Sequence, residues 1–290
     1  MRWKGREQSK NIEDRRGMRT GMAVGGGGLG LIILMVIATL LGADPRRLMQ
    51  QAQNAQQQQQ QVQRSGANGQ IDDGGKGELI AVVLNDTEQV WTKLFQQHVQ
   101  GAYKKPTLVM FTASTQTACG PASAGVGPFY CPADQKVYID PEFFIELESR
   151  HNAAGDFAQA YVIAHEVAHH VQNLLGRMEP VDRARRTGDK ILANQMSVRL
   201  ELQADYLAGV WAHHAQREFG ILEEGDIAEA INAANQIGDD TLQEQATGYV
   251  RPEHFTHGTS VQRAHWFKAG LATGDFEGLD QLFELSYEEL

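Results

Sequence analysis

The stretch His165-Glu166-Val167-Ala168-His169 brings two imidazoles and a carboxylate into one turn and a half of chain. Its flanks (Tyr161, Val162, Ile163, Val171, Leu174, Leu175) are apolar, and Gly176 stands where a C-cap belongs, so the segment reads as a helix. At i and i+4 the rings of His165 and His169 share one helix face. Two nitrogens on one face are half of a tetrahedral zinc site. Glu166 is turned away from the ligand pair, where it can act as general base toward a metal-bound water without ligating. The competing reading is an amphipathic helix with hydrogen-bonded histidines, and a third ligand would decide between them.

Glu201 and Asp205 supply a candidate. They are also i and i+4, and they sit among Leu200, Leu202, Ala204, Leu207 and Val210 in a second helical stretch. Two carboxylates in an apolar helix need partners. Two histidines and one glutamate, with a position left for water, make a known catalytic zinc set. The expected metal ligands are therefore His165, His169 and Glu201, holding one zinc per chain, with Glu166 as the base. Asp205 is expected to accept the other ring N–H of a ligating histidine, His165 first, and so fix its tautomer. A surface salt-bridge face using Arg199 is the plain alternative. Other divalent metals suit the same ligand types.

These motifs resemble the gluzincin arrangement of zinc metallopeptidases, and more closely the bacterial putative neutral zinc metallopeptidase family of YpfJ type. The shared stretches are Val137-Tyr138-Ile139-Asp140, the His-Glu helix, Glu201 to Trp211, and His257-Gly258-Thr259-Ser260 with Gln262-Arg263. The resemblance spans nearly the whole chain and implies a zincin fold and peptide-bond hydrolysis. It also implies that His257, in a loop before a helix capped by Thr259 or Ser260, faces the metal and holds the oxyanion, with Arg263 bracing the site. Tyr206 and Tyr249 are weaker candidates; His170, His213 and His214 read as ordinary helix residues. By analogy with zincins, Lys136 to Asp140 would be an edge strand that pairs with an extended peptide, rimmed by the loop before it.

The elements that must position these groups follow in chain order. The predicted class is α+β: a mainly helical zincin-like domain with a small sheet, preceded by one transmembrane helix. Residues 1–21 read as a solvated basic tail. Met22 to Gly42 is uncharged and apolar, long enough for a tilted bilayer span of roughly 20 residues. Residues 43–77 form a Gln- and Gly-rich linker. The folded domain is expected over 78–290. Helical spacing runs from Leu79 to Val99, strands from Pro106 to Ala113 and Lys136 to Asp140, and a helix from Glu142 to Ser149. The His-Glu helix starts near Asp156. A charged loop is expected from Arg177 to Asp189, then a long helix to Phe219 and shorter ones at 226–237, 241–247 and 262–272.

Composition bounds the setting. Residues 1–50 carry a net charge of +5 within a total of −10, so the rest is strongly acidic, which argues against a nucleic-acid partner. Seven cations precede the apolar run and only Arg46 and Arg47 closely follow it. The positive-inside rule then puts the N-terminus in the cytoplasm and the domain outside, in the periplasm, on a single-pass anchor. A cleaved signal peptide competes with the anchor. Cys119 and Cys131, an even pair in an exported domain, are expected to form a disulfide. The expected partners are a peptide or protein substrate, the membrane, and other envelope proteins. The alternative function is a non-catalytic, membrane-tethered envelope-binding module with a structural zinc; a fourth protein ligand would favour it.

Overall fold

The computed structural model describes residues 1–17, 74–149 and 153–290. Met1–Arg16 and Gly75–Leu290 form one compact unit. The expected anchor and most of the expected linker lie outside the described residues. Among the described residues no helix is long and apolar enough to cross a membrane.

The chain opens with a short strand, β1 (Ile12–Asp14). Helix α1 (Lys76–His98) starts after Gly75, which turns the chain at φ 85°, a conformation costly for residues with a Cβ. It buries Leu79, Ile80, Val82, Val83, Leu84, Val90, Trp91, Leu94 and Phe95. Then come β2 (Thr107–Met110), β3 (Ser114–Thr117), β4 (Gly120–Ser123), β5 (Phe129–Cys131) and β6 (Lys136–Ile139). The main sheet has the order β1-β2-β6-β5, with β5 antiparallel to β6 and the other two pairs parallel; β3 and β4 form a separate antiparallel pair. The Cys119–Cys131 disulfide, with Cα atoms 5.9 Å apart, ties the turn of that pair to β5.

The helices follow: α2 (Glu142–Ser149), α3 (Asp156–Leu174), α4 (Glu179–Thr187), α5 (Lys190–Phe219), α6 (Asp226–Gln236), α7 (Asp239–Thr247), α8 (Ser260–Thr273) and the single turn α9 (Gln281–Glu284). The core sits between α3, α5 and α8 and beneath α1, around Trp91, Phe157, Tyr161, Trp211 and Phe267. Phe157 stacks on Trp211 and Tyr161 meets Phe267 edge-on. Helices α5 and α8 touch backbone to backbone. A Cβ on Gly209 would lie 2.1 Å from the Phe267 carbonyl oxygen, and one on Gly270 2.0 Å from that of Tyr206. This close approach sets the second half of α8 against the middle of α5.

Three expectations need correction. The charged stretch after Gly176 is not a loop. Residues Glu179–Thr187 are helical, with Val181 and Ala184 buried and Glu179–Arg183 and Asp182–Arg185 pairs along the surface. Strand β6 is not an edge. It is flanked by β2 and β5; among the described residues the outer strands are β1 and β5, and β5 is the one beside the His-Glu helix. The first sixteen residues are not a solvated tail. Strand β1 pairs in parallel with β2, and Met1 and Trp3 are buried. Arg6 grips the buried Asp86 of α1 with two hydrogen bonds of 2.6 and 2.8 Å. Ser9 (2.6 Å) and Asn11 (2.8 Å) donate to the buried Glu88. Without this segment the Asp86 carboxyl would lose Arg6 and Glu88 would lose two of its donors, and an unsatisfied buried polar group costs about 1–3 kcal/mol. The charge pattern alone could not reveal this, because a cation shows no sign of its partner.

Candidate metal centre

Helices α3 and α5 lie against each other with His165, Glu166 and His169 on one and Glu201 and Asp205 on the other. His165 Nε2 is 3.1 Å from Glu201 Oε2, and His169 Nε2 is 3.5 Å from Glu201 Oε1. One ligand atom from each of the three residues falls within 4.8 Å of the others. His165, Glu166 and His169 are all below 10 % exposed. The two rings meet edge to face, 4.8 Å between centroids.

The orientation of each ring is imposed from behind. His165 donates from Nδ1 to Asp205 Oδ1 at 2.8 Å, and His169 donates from Nδ1 to Gln172 Oε1 at 2.8 Å. With Nδ1 committed as the donor, Nε2 of each ring is the nitrogen that faces Glu201 and can ligate once its proton has left. The donor set thus fits zinc: two imidazole nitrogens in fixed tautomers and one carboxylate, all convergent.

Asp205 is the hub of the support. It is fully buried and also accepts from Tyr161 Oη (2.5 Å), Arg263 Nε (2.9 Å) and Arg263 Nη2 (3.1 Å). Burial alone would raise the Asp205 carboxyl; the Arg263 and His165 charges more than offset this and hold it down at about 2. Gln172 is locked in turn, donating to the Leu200 carbonyl (2.7 Å) and to Gln203 Oε1 (3.0 Å), while Gln203 donates to the Leu279 carbonyl (2.7 Å). Sequence reasoning missed Tyr161, Gln172 and Gln203. Two of them carried a signal: Tyr161 is i−4 from His165 and Gln172 is i+3 from His169, which puts both on the ligand face.

Charge is distributed as the chemistry requires. Burial works against ionising Glu201, yet the imidazoles of His169 and His165 hold it well below the usual carboxylate range. Burial works against a charged His165 too, but Asp205 and Glu201 keep a proton on it to about 10 in the metal-free chain. Glu166 differs. Burial raises its carboxyl, and the nearby histidines only partly counter this.

His257 lies in the loop before α8, which Thr259 caps, Gln262 completing a capping box. Asp239, also missed from the sequence, builds the loop. One of its oxygens accepts the backbone N–H groups of Thr256, His257 and Gly258 (2.6, 2.6 and 3.3 Å), and the other faces His257 Nδ1 at 3.0 Å. Asp239 raises the His257 imidazole, and Glu201 is near enough to add to that. The His257 side chain remains about half exposed (51 %).

Other histidines are structural. His170 faces Tyr130 Oη of β5 through Nδ1 (3.0 Å) and the Lys104 carbonyl through Nε2 (2.6 Å), and burial lowers it to about 4. His213 and His214 contact the carbonyls of Leu271 and Gly274. Tyr206 donates to the Asp275 carbonyl, and Tyr249 is exposed.

The model of the family described as "putative neutral zinc metallopeptidase" matches residues 1–282. The chain belongs to this family. It is 45% identical over 284 residues to the uncharacterized protein YpfJ of Escherichia coli K12, covering 95% of this chain and 96% of that one. It is 42% identical over 201 residues to the uncharacterized protein Rv2575 of Mycobacterium tuberculosis H37Rv, covering 66% of this chain and 65% of that one. No solved structure matches. The family match begins at residue 1, in keeping with the place of β1 inside the fold.

Proposed function

We propose that this chain is a zinc-dependent metallopeptidase that hydrolyses peptide bonds, with His165, His169 and Glu201 as the zinc ligands and Glu166 as general base. The observation that carries the reading is the convergence of the two Nε2 atoms on Glu201, each ring fixed from behind by its own acceptor. A bound zinc ion would supply a Lewis acid for the scissile carbonyl and acidify a water molecule. Glu166, its affinity for protons raised by burial, takes the proton from the attacking water and returns it to the leaving amine. His257, held through Nδ1 by Asp239, presents its other ring nitrogen as a donor to the developing oxyanion. Asp205 and Arg263 hold His165 in place through the chemistry. Strand β5, the open edge beside α3, would offer its backbone to an extended substrate.

Metal content of the purified chain, measured by mass spectrometry beside His165→Ala, tests the site. About one zinc per chain is expected, lost in the variant. Folded protein that takes up no zinc would overturn the reading. Glu166→Gln should keep its zinc yet lose roughly 10²–10⁴-fold in hydrolysis of a dye-labelled denatured protein. Unchanged turnover in that variant would remove Glu166 from the mechanism.

A further inference from the structure

The first sixteen residues and the metal-binding domain are one folded body. Ile12, Glu13 and Asp14 stand opposite Leu108, Val109 and Met110 in the sheet. Backbone hydrogen bonds extend the attachment along the whole segment: Arg2 N–H to the Ile221 carbonyl (2.8 Å), Ser9 N–H to that of Ala81 (2.9 Å), and Arg15 N–H to that of Met110 (2.7 Å). Side chains reinforce it. Trp3 Nε1 donates to Asp156 at 2.6 Å, Arg6 clasps Asp86, and Arg15 donates to Thr115 Oγ1 (3.1 Å) and the Gln116 carbonyl (3.0 Å).

Downstream in the sequence lies the apolar run Met22 to Gly42. A single crossing by that run would put its two flanks on opposite sides of a hydrocarbon layer about 30 Å thick. Neighbouring strands, however, lie about 4.8 Å apart, and Asp14 and Met110 are paired neighbours. Both arrangements cannot hold in one molecule. We propose that residues 1–16 and the metal centre lie on the same side of the membrane, so that a single crossing with the N-terminus on the far side does not occur while this fold persists.

The charge distribution does not decide the orientation. The positive-inside bias acts through cations left in loops beside a span. Here Arg6 pairs with Asp86, Arg15 with Glu13 and Arg16 with Asp14. These cations belong to the folded domain rather than to a free loop, so their count says little about which face holds the N-terminus. The inference rests on packing alone and is independent of catalysis.

The test uses the full chain in native membranes. Gln8→Cys, in the N-terminal segment, and Gln245→Cys, on α7, are exposed positions. The two native cysteines are joined to each other, which leaves the new thiol as the reporter. Each variant, checked for a wild-type melting temperature, is treated with a membrane-impermeant maleimide in right-side-out and inside-out vesicles. Both positions should label in the same orientation and both should be protected in the other. Labelling of Gln8→Cys and Gln245→Cys in opposite orientations would overturn the proposal.

Discussion

Replacing Asp205 or Arg263 should separate what holds the fold from what holds the metal. Both side chains are buried, at 0 and 3 % exposure, and they share two hydrogen bonds. Asp205→Leu leaves the Arg263 guanidinium buried without its counter-charge; Arg263→Met does the same to Asp205. Breaking one side of a buried pair costs about 3–5 kcal/mol. For a domain of this size each kcal/mol is worth roughly 2–4 °C, so either single change should lower the melting temperature by roughly 6–20 °C. The double variant strands neither charge. Its loss should fall short of the summed single losses by roughly 1–3 kcal/mol, the coupling expected of groups in direct contact. Zinc affinity should behave differently. Asp205 holds His165 Nδ1 at 2.8 Å, and loss of such a partner weakens metal binding by about 10–100-fold. That weakening should appear in Asp205→Leu and persist in the double variant even where stability recovers. Melting curves in chelator give the metal-free stability, and competition against a chromogenic chelator gives the affinity. Additive stability losses, or unchanged affinity in both Asp205 variants, would refute the assignment of Asp205 as the hub.

Zinc must displace the proton that His165 keeps to about 10 in the metal-free chain, and Glu201 raises the His169 imidazole as well, so affinity should rise with pH by about tenfold per unit or more between about pH 6 and 9. A flat profile in the same competition assay would mean that the imidazole is already neutral. Asp205, held at about 2 against an ordinary 3.8, contributes stability that is complete above the ordinary value. Metal-free protein should lose that contribution as pH falls from 3.8 toward 2, and Arg263→Met should show a smaller loss over that window, read by denaturant titration at each pH. Gln172→Ala frees the His169 ring and should weaken zinc roughly tenfold; an unchanged dissociation constant would relegate Gln172 to packing. Gly209→Ala would put a methyl group 2.1 Å from the Phe267 carbonyl oxygen. It should cost at least about 1–3 kcal/mol by forcing α5 and α8 apart, and a wild-type denaturation midpoint would argue against that close approach.

The candidate site was legible because its geometry is mostly local. Helical periodicity alone puts His165 beside His169 and Glu201 beside Asp205. The apolar residues around them declare both helices buried, and buried polar groups demand partners. The helix at 142–149 was legible from Pro141 at its start, and that at 156–174 from its apolar flanks and the glycine at its end, Gly176. Other features had no local signature. Strand β1 has only three residues, too few for a period, and its partner β2 is far away in the chain. Asp239 reads as one more acid in a negative chain until the fold brings it to His257. The stretch 177–189 looked like a loop because its charges outnumber its apolar residues, but Val181 and Ala184 are enough to seat one face.

The sequence by itself thus determined which groups could ligate and which could act as base, since their types and their spacing within a helix are fixed by backbone geometry alone. Only the tertiary structure decided what stands behind those groups and which strand is open. It also decided that the N-terminal segment belongs to the domain. Hydrogen-bond partners, strand order and the pairing of buried charges are relations between distant parts of the chain, and no local pattern encodes which of many possible neighbours a residue will meet.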